Sequence, residues 1–570
     1  MSLNAALNIG RSGLAASQAA ITVAGNNLAN SANGAYTRQS PNLVAGTDVQ
    51  VSPGIFIGTG VTLQNIIRNV DNALNDRLRA AVADQSGSQA RLDLLSQIES
   101  IEAELSDTSL SGKLNDFFNT FSELANNPSD ASLRSLVTQQ GSALSGQIQS
   151  MRNDMIQARN QLDDQIRGSV NQVNSLLEQI ATLNGKIVTA EAGAGGANGM
   201  RDQRDQLIDQ VSEYIDVSTI NQSSGSTDVF LNGIPLVAGG TSRGVTVDYA
   251  TSTDTSELNL QLRVADDGTF LTANSGSIGA MMTARDTDML PAIAALDDFS
   301  AALIWQVNRV HSQGAGSTLF DSLTSASVVT DPAASLTSGA SGLDFAPSHG
   351  SFDIYVTQKS TGTATATRIN VDGDGIGGPD SSLNDIAAQL NAVGNLSATV
   401  TADGHLRITS DSGDFQFSFA ADSSGFLAAL GLNTYFTGHN ATDIAVNDTL
   451  LGDPTKLATG ANRTAGDNGT ALAIAALRST PLDELGGLSL PQMWTQHVED
   501  FAVRTSQAKL SVQSDQSVVD SLTSQKQSIS GVSVDEESIN LMAYQRAYQA
   551  SARFITVVNQ MMDTLMTMVQ

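Results

Sequence analysis

The sequence predicts an α+β multidomain chain: paired N- and C-terminal coiled-coil-like helices, a long helical-bundle stalk, and β-rich outer domains inserted between them. Three observations predict this. The chain has 570 residues, more than one hydrophobic core accommodates. Both ends carry apolar residues at a sustained seven-residue spacing, as helices packed along their length do. Between the ends, helical periodicity gives way twice to short alternating Ser/Thr/Gly-rich runs of strand type.

At the start, Leu7, Leu14, Ile21 and Leu28 repeat every seven residues, and Leu3, Gly10, Ser17 and Ala24 fill the second seam position. The small members of that second row let another helix approach closely. At the end, Leu541, Tyr548, Ile555, Met562 and Val569 form one row, and Tyr544, Ser551, Val558 and Leu565 the other. Each helix is about 45 Å long from the rise per residue. A pair of amphipathic helices folded into the chain's own core gives the same pattern, so periodicity alone does not separate core from assembly seam.

Residues 70–190 are helical in pattern, with Leu92, Leu95, Ile98, Ile101 and Leu105, then Val170, Val173, Leu177, Ile180 and Leu183. Pro128, after two asparagines, marks a turn inside this block. The Gly/Ala run Ala192–Gly199 reads as a hinge, and a helix through Leu207, Ile208 and Val211 follows. Residues 221–275 alternate as strands do. Helix returns over 278–310, residues 314–464 are β-rich with one helix near Leu383–Leu390, and a long helix covers Leu490–Ile529 before Gly531. The expected domains are 1–40 with 531–570 as a terminal-helix unit, and 41–220 with 276–313 and 465–530 as a helical stalk. A small β-rich subdomain over 221–275 and an outer β-rich domain over 314–464 complete them.

Charge narrows the function. There are 29 basic and 58 acidic residues, a net of −29. That disfavours nucleic acid, which needs a basic stripe, and anionic lipid. The first acid is Asp48, preceded only by Arg11 and Arg38, and from Leu541 onward Asp563 stands against Arg546 and Arg553. Subtracting the ends, +2 and +1, leaves −32 for residues 48–540. Neutral ends can pack against copies of themselves while an acidic exterior keeps an assembly soluble. The chain has no cysteine, so disulfides and thiolate chemistry are excluded. No cleavable secretion signal and no membrane-inserted segment is expected. The most apolar stretch, Phe554–Val569, is broken by Asn559, Gln560 and Asp563.

Three stretches carry a resemblance. Asn26, Asn27, Leu28, Ala29 and Asn30, followed by Tyr36-Thr37-Arg38-Gln39, resemble the N-terminal signature of bacterial flagellar rod, hook and hook-associated proteins. Gly531-Val532-Ser533-Val534-Asp535-Glu536-Glu537, with Tyr544, Gln545, Arg546, Ala547 and Tyr548, is similar to their C-terminal signature. Ser533 or Asp535 suits a helix N-cap, and Glu536 and Glu537 suit a first turn. Arg201–Leu207 and Trp305–His311 resemble internal motifs of the hook-associated protein 1 branch of this axial family. Residues 381–409 are similar to a β-α-β module that recurs in flagellins and hook-associated proteins.

The resemblance implies a structural subunit at the hook–filament junction, with no enzymatic activity and no cofactor. It implies export through the flagellar type III apparatus without cleavage and an extracellular place in the flagellum. The implied partners are copies of the chain in a ring or helical layer, hook protein, a second hook–filament junction protein and an export chaperone. The expected assembly seam is Leu3, Leu7, Leu14, Ile21, Leu28, Leu541, Tyr544, Tyr548, Ile555, Val558, Met562, Leu565 and Val569. Another axial protein of hook or rod type, or an axial stalk carrying an adhesive or hydrolytic outer domain, remains the alternative.

Rival chemistry is thin. Asp372–Asp380 resembles a calcium loop, but its fifth and twelfth positions are Ile376 and Leu383, where oxygen ligands belong. The five histidines lack metal-site spacing. His311 reads as a packing or capping residue, and no Gly-x-Ser-x-Gly elbow is present.

Overall fold

The computed structural model describes residues 3–104, 109–192, 196–251, 258–376, 378–461, 464 and 466–569. Leu105, Gly193–Gly195 and Gly377, each named above, lie outside the described residues, as does the side chain of Val569. The N-terminal half holds helix α1 (Leu3–Ala29), strands β1 (Gln39–Ala45), β2 (Val49–Ser52), β3 (Ile55–Ile57) and β4 (Val61–Arg68), then α2 (Asn72–Glu102), α3 (Leu110–Asn126), α4 (Ala131–Glu191) and α5 (Asn198–Tyr214). Strands β5 (Val217–Asn221), β6 (Thr227–Leu231), β7 (Ile234–Ala238), β8 (Thr241–Ser242), β9 (Val245–Thr251), β10 (Leu258–Val264) and β11 (Phe270–Leu271) follow, then α6 (Gly276–Ala284) and α7 (Leu290–His311). The next elements are β12 (Ser322–Thr324), β13 (Gly350–Gln358), β14 (Ala364–Val371), α8 (Leu383–Asn391), β15 (Leu396–Val400), β16 (Leu406–Ser410) and β17 (Phe415–Ala420). Short helices α9 (Phe426–Leu430), α10 (Asp448–Gly452) and α11 (Gly469–Ala476) lead to α12 (Leu490–Ser530) and α13 (Val534–Val569).

The chain forms two compact units. The first comprises residues 1–94, 161–284 and 506–570; the second comprises 95–160 and 285–505. In the first, β1 pairs with β4 antiparallel from Gln39↔Arg68 to Ala45↔Val61, and β2 with β3. No strand is expected for these residues from the sequence. Their side chains are mostly exposed on both faces, so they carry no inside–outside alternation to read. The β-rich stretch expected over 221–275 forms a four-stranded sheet, β5-β6-β7-β8, and a three-stranded one, β11-β10-β9. Leu74, Leu78 and Ala81 of α2 pack with Leu522 of α12, flanked by Val82 and Val519.

The second unit is built on aromatic burial. Sheet β14-β13-β17 and sheet β12-β16-β15 enclose Phe352, Ile354, Phe417, Phe419, Phe426 and Leu383, all fully buried. Helix α8 starts from a reciprocal capping box between Ser382 and Asp385, which satisfies two orphan donors. Phe117, Phe118 and Phe121 of α3 cluster with Tyr435 and Phe436 at centroid distances of 4.7–5.7 Å. Among the described residues, Gly276–His311, and not Phe554–Val569, is the helical stretch long and apolar enough by composition to cross a membrane. Within it, Ala292, Leu296, Phe299, Leu303 and Val307 of α7 are buried in the core.

Candidate assembly interface

Helices α1 and α13 meet along one narrow face. The buried positions of α1 are Gly10, Ala16, Ser17, Ala20, Val23, Ala24 and Asn27. The small-residue row therefore faces the partner helix, while Leu3, Leu7, Leu14, Ile21 and Leu28 are half-buried along its flanks. A Cβ at Gly10 would lie 2.7 Å from Ile555 Cγ1, and one at Gly13 would lie 3.0 Å from Ser551 Oγ. Side chains of α13 thus reach the α1 backbone at these glycines, an approach that a larger residue there would obstruct. On α13, Val558 is fully buried, and Leu541, Tyr544, Ile555 and Met562 are half-buried. Tyr548 and Leu565 are exposed.

A second apolar stripe of α13 lies off the heptad rows and is absent from the sequence-based seam. Phe554, Val557, Met561 and Met568 line a groove of about 680 Å3 together with Leu3, Ala6, Val558 and Leu565. Met568 is 77% exposed. A contiguous uncovered apolar face of this kind marks an interaction surface.

The start of α13 is locked by a polar network. The Glu537 carboxylate, only 3% exposed, accepts from Asn27 Nδ2 at 3.0 Å and from Arg38 Nε at 2.8 Å. Arg38 also pairs with Glu536 at 2.9 Å. Asn27 Oδ1 accepts from the Tyr36 hydroxyl at 2.8 Å and from the Gln39 amide at 3.1 Å, and its Nδ2 also donates to the Gln39 carbonyl at 2.8 Å. Both Asn27 amide hydrogens and its oxygen are thus used, which a buried amide requires. Burial, reinforced by the charges of Asp202 and Glu537, pushes the Tyr36 phenol above its usual pKa. The Thr37 amide donates to Asp202 at 3.3 Å. Arg68 holds Asp202 and Asp205 at 2.8 Å each. The two terminal signatures and the Arg201–Leu207 motif thereby converge on one site.

The other quoted signature residues are placed differently. Asn30 Nδ2 returns to the Asn26 carbonyl at 2.9 Å, closing the end of α1. Asn26, Ala29, Asp535 and Gln545 are exposed, and Leu28 is half-buried. Ser533, not Asp535, caps α13, accepting from the Glu536 amide at 3.4 Å. Arg68 and Ser530 are outside the sequence-based set, whereas Asp202 belongs to the Arg201–Leu207 motif quoted from the sequence. Ser530 accepts from the Arg38 amide at 2.9 Å and donates to the Asn69 carbonyl at 2.7 Å.

In the second unit, the Trp305–His311 motif makes internal clasps. Asn308 Oδ1 accepts from the Tyr435 and Phe436 amides at 3.0 and 2.9 Å. His311 Nε2 accepts from the Ala458 amide at 3.0 Å, so Nδ1 carries the proton donated to the Asn433 carbonyl at 2.8 Å. Complete burial lowers its pKa to about 4, and the ring is neutral at pH 7. A ring with both nitrogens committed to backbone has no capacity left for proton transfer. In the calcium-like loop, carboxylate oxygens of Asp372 and Asp374 lie 3.2 and 3.5 Å from His349 Nδ1, and all three side chains are well exposed.

Residues 95–320 match the pattern of the "Flagellar hook-associated protein FlgK helical domain", and residues 523–568 that of "Flagellar basal body rod FlgEFG protein C-terminal". Flagellar hook-associated protein 1 of Escherichia coli K12 is 27% identical over 576 residues, covering 99% of this chain and 99% of its own. Over nearly its whole length the chain is similar to flagellar hook-associated protein 1. The Salmonella typhimurium member is 27% identical over 99% of this chain, and the Bacillus subtilis member 24% identical over 98%. A solved structure, the flagellar hook junction protein FlgK from Burkholderia pseudomallei, shares the fold. It matches at a TM-score of 0.51 and 18% identity, over 80% of this chain and all of that one.

Proposed function

We propose that this chain is a structural subunit of the bacterial flagellum that forms the junction between hook and filament, a mechanical adapter for filament assembly. The observation that carries this is the paired α1–α13 unit, held at one end by the Asn27–Glu537–Arg38 network and left with an uncovered apolar stripe along α13. A helix pair that buries only a narrow small-residue face has surface left for neighbouring subunits. The sequence-based seam and the exposed Phe554, Val557, Met561 and Met568 together form the self-association surface. Residues 1–40 with 531–570 form the inner tube of the axis. The stalk is 41–220 with 276–313 and 465–530, and 221–275 and 314–464 are the outer β domains. Hook protein lies on one side, a second junction protein on the other. An export chaperone and the type III apparatus deliver the chain outside the cell without cleavage.

The test is electron microscopy of a strain lacking this chain. Hooks form, filaments are absent, and flagellin accumulates in the medium. Missing hooks would instead indicate a hook or rod subunit. Full-length filaments would overturn the reading and point to an adhesive or degradative role.

A further inference from the structure

Counted along the chain, His349 and Asp372 are 23 residues apart and have no metal-site spacing. The β13–β14 ladder joins them. Its end pair is Gly350↔Val371, so the next residues outward, His349 and Asp372, meet across the open end of the hairpin. His349 Nδ1 stands 3.2 Å from Asp372 Oδ1 and 3.5 Å from Asp374 Oδ2. One oxygen of each aspartate and a ring nitrogen lie within 4.8 Å of one another. The three side chains are 57%, 40% and 37% exposed, so an ion from solvent reaches all of them.

The loop fixes this arrangement with its own bonds. The Asp372 amide donates to Ser381 Oγ at 2.9 Å, and the Asp372 carbonyl accepts from the Ser381 amide at 2.8 Å. Asp374 Oδ1 accepts from the Ile376 amide at 2.9 Å, which leaves Oδ2 toward the imidazole. Asp380 accepts from the Gly375 amide at 2.8 Å and the Thr337 hydroxyl at 3.0 Å, folding the loop back. Gly373 permits the close approach: a Cβ there would lie 2.9 Å from Thr337 Cγ2 and 3.3 Å from the His349 backbone nitrogen.

Charge points the same way. Other acids of this unit have cations, Asp353 with Arg368 and Asp321 with Lys359. Among the described residues, Asp372 and Asp374 ion-pair with no lysine or arginine, and share one histidine nitrogen. A neutral imidazole carries one N–H, which serves one of the two carboxylates at most. The other is left beside like charge. A divalent cation between them answers both. Metal–ligand distances of about 2.0–2.2 Å put tetrahedral ligands about 3.3–3.6 Å apart, close to both separations from Nδ1. A nitrogen in the set suits ions of the zinc class, whereas calcium takes about six to eight oxygens.

We propose that His349, Asp372 and Asp374 form a binding site for one divalent transition-metal ion of the zinc class, with water completing its coordination. This goes beyond the junction role and does not depend on it. The bound ion staples the open end of the β13–β14 hairpin in the second unit.

The experiment is calorimetric titration of the chelator-treated full chain with zinc chloride, repeated with calcium chloride. The absorption of bound cobalt(II) and the melting temperature of the second unit are followed alongside. One saturable zinc site is expected, with a rise in melting temperature and a cobalt spectrum that zinc abolishes and calcium does not. His349→Gln and Asp374→Asn, both at exposed positions, each weaken zinc binding about ten-fold or more. His439→Gln removes another exposed imidazole beside a carboxylate, that of Asp443, and leaves zinc affinity unchanged. This separates the site from scattered weak binding to an acidic surface. Absence of saturable zinc binding, calcium preferred over zinc, or unchanged affinity in both site variants overturns the proposal, and so does equal weakening by His439→Gln.

Discussion

The α1–α13 pair and the aromatic core of the second unit solve the same problem in opposite ways. The aromatic core encloses its large side chains: Phe352, Phe417, Phe419, Phe426 and Tyr435 are all fully buried. The helix pair buries glycine, serine and alanine, and leaves Phe554, Val557, Met561, Leu565 and Met568 at 44–77% exposure. Large apolar side chains contribute most when desolvated. The aromatic core therefore completes its own stabilisation, whereas the helix pair leaves much of its large apolar surface uncovered. Its internal fixing comes instead from a polar latch, which gives direction and register more than energy.

The comparison breaks hardest if charge enters each buried seam. Val558→Asp places a carboxylate at the fully buried point of the α1–α13 contact. It should cost about 3–4 kcal/mol there and abolish assembly, while the thermal transition of the second unit stays put. Hydrogen exchange resolved by segment checks both halves. Equal destabilisation of both units would mean that they fold as one.

Gly141→Ala attacks the other side. A Cβ there would stand 2.0 Å from the Tyr435 hydroxyl, which donates to the Val137 carbonyl at 2.7 Å inside the core. Overpacking should cost about 2–3 kcal/mol and lower the melting temperature of the second unit without altering exchange in α13. Tyr435→Phe in the same background should restore part of the loss.

Acid separates the regions next. The neutral His311 ring has a folded pKa of about 4, below the ordinary 6.5. Between those values the unfolded chain binds a proton that the folded chain does not. Stability from this residue is therefore complete above about pH 6.5 and falls as pH drops toward 4, by about 3 kcal/mol in full. Chemical denaturation of the second unit at pH 7 and pH 4.5 measures it, with His311→Asn flattening the difference. The latch has no histidine among the partners of Glu537.

The latch itself should respond more weakly. Glu537→Gln removes one charge from a hydrogen-bonded pair with Arg38, which retains Glu536. A loss of about 1–2 kcal/mol is expected, seen as faster exchange at the start of α13 and the end of α1. No change would make the network incidental to the pairing of the ends.

Legibility followed the range of the interactions. Helix extents over 490–530 and 534–569, the turn at Pro128 and helix α8 were readable because caps and period are local signals. The small row Gly10–Ser17–Ala24 was readable as a close-approach face. The latch was not. Asn27 and Glu537 are 510 residues apart, and each looks by itself like a helix-end residue. One trace existed: Arg38 is one of two charges before Asp48, and a lone cation in a neutral segment invites the question of its partner. The second stripe of α13 was hidden because a seven-residue count selects one stripe of a helix that carries two.

That second stripe yields the smallest effect on the isolated chain and the most telling contrast. Val557, Met561 and Met568 lie on the groove and are 47–77% exposed. Replacing all three with serine removes apolar surface that the monomer largely leaves in water. The monomer should lose no more than about 1 kcal/mol, and both thermal transitions should hardly move. Assembly is a different matter, since packing against a neighbour would desolvate the same side chains. Burying each would contribute about 1.5–3 kcal/mol at every contact, so their loss should prevent polymer growth and filament retention. Motility and sedimentation read the assembly arm; calorimetry reads the monomer arm. If the triple variant assembles normally, the exposed stripe is not a subunit contact, and the helix pair is as self-contained as the aromatic core. If the monomer unfolds instead, the stripe already serves the chain's own fold, and the distinction between the two regions disappears from the other side.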